Sequence, residues 1–288
     1  MRTVEVTGGF GFFGSHVMRA FRAAGWEVNR SGRVREGWYP DSDVVVHCAA
    51  NCGGIGHNAS NGYEILRGNL EIDAAVVEGC VCQEKTLIAI GSVCAYPKHC
   101  PAPFHEADLW SGYPEETNAP YGLAKRMLFE LCRAARPDGL RSVMLLPTNL
   151  YGPGDSFDPE RSHVVPAMIR KFVEADGPVE LWGTGNATRD FLYVEDAAEA
   201  VVRAAELGDY PNPINLGTGV ETGILALSEQ IGMALGKTPV YHWTGDLDGQ
   251  PRRVLDTSRA ASVLGWKAKT GLREGLRRTV AWYRGEVL

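Results

Sequence analysis

The chain has 288 residues, 44% of them hydrophobic and 22% charged, with a formal net charge of −6. That length fits one large domain or two modest ones, and the composition is ordinary for a soluble globular protein. The negative balance argues against a general nucleic-acid or membrane-surface partner, although a local basic pocket could still hold a phosphate, and no apolar run approaches the roughly 18 residues of a membrane-spanning helix.

The opening residues, MRTVEVTGG, run into a strand pattern without the charged leader and apolar core of a signal peptide. Seven cysteines (48, 52, 80, 82, 94, 100 and 132) are odd in number and lack CxxC spacing. Neither a disulfide framework nor a zinc site is expected, and a cytoplasmic location fits. VEVT (4–7), VVVHCA (44–49), TLIAI (86–90) and SVMLLP (142–147) are apolar enough to be buried on both faces, as strands of a parallel sheet are. Between them the pattern is helical over 15–25, where Gly25 suits a C-cap, and over 63–82. This alternation predicts an α/β fold with a doubly wound parallel (Rossmann) sheet. After Pro147 the elements shorten: helices near 164–174, 195–206, 224–235 and 271–284, and strands near 179–182 and 190–193. The expected organisation is a dinucleotide-binding domain over 1–150 and a smaller substrate-binding lobe over 151–288, with some segments returning to the sheet.

TGGFGFFG (7–14) joins the first strand to the first helix, with Gly8, Gly11 and Gly14 three apart. Glycines there permit a tight turn, bring backbone N–H groups against a pyrophosphate and let helix pack on strand. The second strand, WEVNR (26–30), ends without the carboxylate that usually holds an NAD ribose. Arg30, Ser31 and Arg33 follow instead, and two guanidiniums able to fork onto a 2′-phosphate favour NADP(H); otherwise they are solvated loop arginines.

Tyr121 and Lys125, in PYGLAK (120–125), lie four apart at the start of a helix and share one face. An ammonium beside the phenol should lower its pKa towards the working range. Ser92 follows the fourth strand, where sheet carboxyl ends face the ligand crevice. The three read as a carbonyl-activating site. On local pattern alone, Cys94 could be a small core residue and His163 a helix-start residue.

Several stretches then carry a resemblance: AANCGGI (49–55), GSVCAYPK (91–98), EETNAPYGLAK (115–125), PTNLYGP (147–153), SHVVPAMIRK (162–171), LWGTGNATRDFLYVED (181–196) and PRRVLD (251–256). The chain resembles the extended short-chain dehydrogenases/reductases and, among them, the GDP-L-fucose synthase branch. Two departures stand out. The segment from Arg33 to Asp43 lacks a helix that the family has, and the middle of SVC differs from the more usual serine. Related 4,6-dehydratases carry an Asp-Glu pair where this chain has Val93 and Cys94, so a dehydratase is disfavoured.

The resemblance implies that Cys94 is the base and His163 the acid for epimerisation at sugar carbons 3 and 5. Tyr121, Lys125 and Ser92 would serve the NADPH-dependent reduction of the 4-ketone. It extends the cofactor set to Phe12, Phe13, Ala49, Ala50, Pro147, Asn149, Leu150 and His163, alongside Tyr121 and Lys125. It puts Ser92, Val93, Cys94 and Asn149 at the sugar, and Lys171, Trp182 and Arg189 around the nucleotide. By residue type alone, Lys171 could be a solvated helix residue and Trp182 core. Cys48, Cys80, Cys82 and Cys132 are expected to be packing residues, and Cys52 lies near the pocket without a role. The implied partner is a GDP-sugar, and the implied assembly a homodimer through the helices around 63–82 and 120–135. Rival readings are an epimerase without net reduction, the same chemistry on a GDP-manno-heptose, and a non-enzymatic NADP sensor.

Overall fold

Short apolar runs, several of them rich in β-branched residues, give the first half its strands. A computed structural model describes residues 1–238, 240–245 and 249–286. Its first half contains β1 (Thr3–Thr7), α1 (Phe12–Ala23), β2 (Glu27–Arg30), β3 (Val44–His47), α2 (Ile55–Ser60), α3 (Gly62–Cys82), β4 (Thr86–Ile90), α4 (Ala119–Ala134) and β5 (Arg141–Pro147). The second half contains β6 (Asn149–Tyr151), α5 (Val164–Glu174), β7 (Val179–Leu181), β8 (Thr188–Arg189), β9 (Phe191–Tyr193), α6 (Val194–Leu207) and β10 (Ile214–Leu216). It ends with β11 (Thr222–Gly223), α7 (Ile224–Leu235), β12 (Tyr241–Trp243), β13 (Arg252–Arg253), α8 (Ser258–Val263) and α9 (Leu272–Glu286).

Six parallel strands in the order β2-β1-β3-β4-β5-β10 form the central sheet. Alternation sends Val4, Val6, Val46, Ile88 and Val143 into a core with α1 and α6. Val45, Leu87, Ala89 and Met144 point the other way, against Val76 of α3 and Leu128 of α4. A third core, around Tyr151, Ile169, Phe172, Leu227 and Val280, fills the C-terminal lobe. β10 pairs with β5, so the chain returns to the sheet after residue 150. Gly25 ends α1 as expected: at φ +79° it turns the chain so that Trp26 N–H reaches Phe21 O at 3.0 Å. The Trp26 ring then packs edge-on against Phe21.

A doubly wound sheet of this type usually has a strand outside β2; here β2 is the edge. Residues 31–43 contain neither strand nor helix and cross directly to β3, so the shortened segment omits a strand as well as a helix. This loop lies on α3. A Cβ added to Gly79 would come 2.5 Å from the Trp38 carbonyl oxygen, a contact that only glycine allows.

Candidate active site

The dinucleotide loop is built by two close approaches. Gly8 has φ +68°, and a Cβ there would lie 2.7 Å from the Ala49 nitrogen; a Cβ on Gly14 would lie 2.3 Å from Gly8 O. α1 starts without a side-chain cap or an acidic residue in its first turn; the Gly11 N–H is taken by Gly8 O at 2.9 Å, leaving the Phe12 and Phe13 N–H groups and the positive dipole end for an anion. At the end of β2, Arg30 is exposed, with its guanidinium 4.1 Å from the centre of the exposed Phe10 ring. Arg33 is exposed in the loop. Ser31 differs from expectation: it is buried, its hydroxyl turned towards Glu5. Ala49 and Ala50 lie half-buried past β3, Pro147 closes β5, and half-buried Leu150 is in β6.

The turn after β4 carries the next group. Ser92 Oγ accepts the Cys94 N–H at 3.1 Å and caps a single 3₁₀ turn over residues 93–95. Val93 departs from the substrate-contact expectation: it is 4% exposed and belongs to the α3/α4-side core. α4 lies against this turn because residue 122 is glycine: a Cβ there would lie 2.3 Å from Cys94 O. Buried Arg126 locks the contact, donating through Nε to Ala95 O at 2.6 Å and through Nη1 to Gly112 O at 2.8 Å. Sequence reasoning missed Arg126, whose partners are backbone carbonyls that leave no pattern in the chain.

Tyr121, at the start of α4, faces the Ser92 hydroxyl and the Cys52 and Cys94 thiols. The expectation that Lys125 lowers its pKa is overturned. Burial pushes the phenol well above its ordinary value, Cys52, Cys94 and Asp73 push the same way, and the Ser92 hydrogen bond opposes them. The Lys125 Nζ is 6.0 Å from the Tyr121 ring centre and 3.8 Å from Asp73 Oδ1, so its charge is directed to a buried carboxylate. Burial also raises the Cys52 thiol.

His163 immediately precedes α5. It is reachable by solvent yet surrounded by enough chain that desolvation lowers its pKa, and Arg253 lowers it further. Arg253 is the other residue that sequence reasoning missed, although it lies in the quoted PRRVLD. It is 8% exposed, and its Nη1 is 3.8 Å from Cys94 Sγ. Its Nε donates to Gln250 Oε1 at 3.2 Å, and Gln250 Nε2 donates to the carbonyls of Pro97 and Lys98. β13 aligns Arg253 with Arg189 of β8. Arg189 is buried and donates through Nη1 to Thr188 O and Gln250 O, each at 2.7 Å. Asn149 gives its amide N–H to Asp190 O at 2.8 Å, tying β6 to the segment after Arg189.

Lys171 and Trp182 come together as a pair. The Lys171 Nζ donates to Glu180 O at 2.7 Å and lies 5.5 Å from the centre of the Trp182 ring, which is 59% exposed rather than core. Of the four cysteines expected to be packing, Cys80 and Cys132 are buried and Cys48 half-buried. Cys82 is exposed, because α3 ends there. Among the described residues, no group of three or more His, Cys, Asp or Glu could hold a metal ion, and no helix is long and apolar enough to cross a membrane.

The arrangement thus combines an anion-binding helix start, a hydroxyl pair, a thiol beside a guanidinium, and an exposed aromatic beside an ammonium. The NAD dependent epimerase/dehydratase family matches residues 38–217. The chain is 35% identical to GDP-L-fucose synthase 1 of Arabidopsis thaliana, over 97% of this chain and 92% of that one. It is 39% identical to probable GDP-L-fucose synthase 1 of Oryza sativa subsp. japonica, over 85% and 76%. In three dimensions it is similar to a GDP-6-OMe-4-keto-L-xylo-heptose reductase from C. jejuni, with TM-score 0.90, 22% identity, and coverage of 98% of this chain and 97% of that one.

Proposed function

Because this chain belongs to the NAD dependent epimerase/dehydratase family, we propose that it is an NADPH-dependent enzyme that epimerises carbons 3 and 5 of a GDP-4-keto-6-deoxy-hexose and reduces the 4-ketone. The observation that carries this reading is the placement of the Cys94 thiol beside both the Ser92–Tyr121 hydroxyls and the Arg253 guanidinium.

The protons on carbons 3 and 5 are acidified by the ketone between them. Cys94, with the Arg253 guanidinium 3.8 Å from its sulfur, removes such a proton; Ser92 and Tyr121 donate hydrogen bonds to the enolate oxygen that develops. His163 is the acid for the opposite face. Burial and Arg253 hold it neutral beforehand; the enolate's negative charge raises its proton affinity, and its contact with solvent lets it collect the proton it delivers. For reduction, Tyr121 donates its proton to the carbonyl oxygen, a task suited to a phenol kept protonated by burial.

When bound, NADPH supplies the hydride for carbon 4. The residues present fit it. The tight Gly8–Gly14 loop admits a pyrophosphate to the start of α1, Arg30 and Arg33 suit its 2′-phosphate, and Lys125 suits its nicotinamide ribose. This assigns the cofactor to residues 1–150 and the GDP-sugar chiefly to 151–288, with Trp182 stacking on the base and Lys171 and Arg189 on the diphosphate side. Asn149 joins the two halves. The reading includes a homodimer through the side-by-side helices α3 and α4, and a cytoplasmic location, supported by seven free thiols.

Incubation with GDP-4-keto-6-deoxy-mannose in deuterium oxide, with and without NADPH, tests it by NMR and mass spectrometry. Deuterium at carbons 3 and 5 with NADPH oxidation is the expected result. Exchange without hydride transfer would make the protein an epimerase only. No exchange and no oxidation would refute the substrate.

A further inference from the structure

Beneath Lys125 lies a set of buried polar groups that the proposed reaction does not use. Asp73 of α3 and His47 of β3 have side chains 0% exposed, and Lys125 is 2% exposed. His47 Nε2 is 2.8 Å from Asp73 Oδ1, and its Nδ1 is 2.7 Å from Thr7 Oγ1 at the end of β1. Thr7 Oγ1 accepts the Ala49 N–H at 3.2 Å, beside the glycine loop. Asp73 Oδ1 is 3.8 Å from Lys125 Nζ, and Asp73 Oδ2 has no hydrogen-bond partner among the described residues. Four elements, β1, β3, α3 and α4, therefore meet through these side chains.

The protons can be placed one by one. A carboxylate only accepts, so His47 must carry its hydrogen on Nε2 and give it to Asp73. Nδ1 is then an acceptor, and Thr7 donates to it while its oxygen takes the Ala49 N–H. Burial lowers the His47 pKa despite Asp73, so the ring is neutral. Other ionisable groups around Lys125 are Cys48 and Cys52 after β3, and Cys132 and Tyr121 on α4. Burial holds the thiols of Cys48, Cys52 and Cys132 and the Tyr121 phenol in their neutral forms. Asp73 is then the counter-charge in contact with the Lys125 ammonium. A buried ammonium that loses such a partner is strongly penalised.

We propose that Asp73, oriented by the Thr7–His47 relay, is a positioning residue that sets where the Lys125 ammonium stands relative to Tyr121 and couples that position to the dinucleotide loop. This rests on the assignment of Tyr121 and Lys125 to the reduction above. The relay joins residues on either side of the cofactor loop, Thr7 and Ala49, to the lysine that serves the cofactor's ribose. Movement of the loop and placement of the ammonium are therefore mechanically linked.

The first test uses the unmutated protein and no substrate. Nitrogen-15 spectra of the histidine rings should show His47, assigned by its loss in His47→Gln, as a neutral ring protonated at Nε2 from pH 6 to 8. An imidazolium, or a ring protonated at Nδ1, would overturn the relay. The second compares turnover. Asp73→Asn keeps the acceptor for His47 and removes the charge. Its reduction kcat should fall roughly tenfold or more, with KM for the sugar within about threefold. Its pH–rate profile should fall off at lower pH than that of the parent, and Asp73→Glu should recover part of the loss. Parental kcat and pH profile in Asp73→Asn would overturn the positioning role. Tyr121→Phe is run alongside: parental turnover there would refute the catalytic assignment itself, while leaving the ring state of His47 to decide the relay.

Discussion

Asp155, in the turn that follows β6, offers a prediction that can be worked to a number. Its carboxyl is 9% exposed; Oδ1 accepts the Ser156 N–H at 2.7 Å and Oδ2 has no hydrogen-bond partner among the described residues. The turn is pinned by Asp155 N–H on Gly152 O and by the His16 ring donating through Nε2 to Pro153 O at 2.7 Å. Burial therefore raises Asp155 from 3.8 to about 7. A pKa higher in the folded chain than in the unfolded chain means that folding favours the protonated form. The associated stability is complete below about pH 4 and is lost as pH climbs to about 7. The gap between 3.8 and about 7 corresponds to up to about 4 kcal/mol of penalty above neutrality, at ~1.4 kcal/mol for each tenfold in proton affinity. Asp155→Asn keeps the acceptor for Ser156 and removes the charge. At pH 8 it should be more stable than the parent by one to several kcal/mol, with an upper bound of about 4 kcal/mol. At pH 4.5, where the unfolded carboxyl is already mostly ionised, the gap should shrink to about a quarter of its pH 8 value. Urea unfolding at both pH values, compared through midpoints at equal slope, measures the difference. A variant no more stable at pH 8, or a difference independent of pH, would refute the argument and indicate that the carboxylate is paired.

Four further outcomes follow from the site. Cys94→Ser should lower deuterium exchange at sugar carbons 3 and 5 by about 10²-fold or more while NADPH binding, read by fluorescence titration, is retained. Tyr121→Phe should slow NADPH oxidation by about 10²–10⁴-fold, with sugar binding preserved. Arg30→Ala should weaken NADPH roughly tenfold or more and leave NADH almost unchanged, as the loss of a charge-assisted contact to the 2′-phosphate predicts; equal losses for both would assign Arg30 another role. Gly122→Ala, whose new Cβ would lie 2.3 Å from Cys94 O, should cost about 1–3 kcal/mol in thermal unfolding and reduce turnover by moving α4 off the Ser92–Cys94 turn.

What the sequence made legible depended on distance along the chain. Five strands of the central sheet and the glycine loop that opens α1 are written locally, in apolar runs and glycine spacing, and the structure has them there; the sixth, β10, is only three residues long and gave no such signal. The state of Tyr121 was not legible, because it depends on how deeply α4 is packed and on Asp73, 48 residues away by number, drawing off the Lys125 charge. Arg253 could not be singled out for the same reason. Its neighbour Cys94 is 159 residues distant, and the two-residue strands β8 and β13 that align it with Arg189 are too short for a periodic signal. Val93 and Ser31 were misplaced because motif position fixes the backbone but not which way a side chain turns.

The trimmed sheet has a consequence for how this scaffold could be lengthened. With no strand beyond it, β2 presents an open row of backbone groups, and such a row invites unwanted pairing unless it is short and charged. Four residues long, with exposed Glu27 and Arg30, it is both. β1 and β3 stand between that border and the turn that carries Ser92 and Cys94. A strand and helix spliced into the loop between Gly32 and Asp43 would add a layer at the border and leave the reacting groups untouched. The same border is where the protein could be joined to another domain.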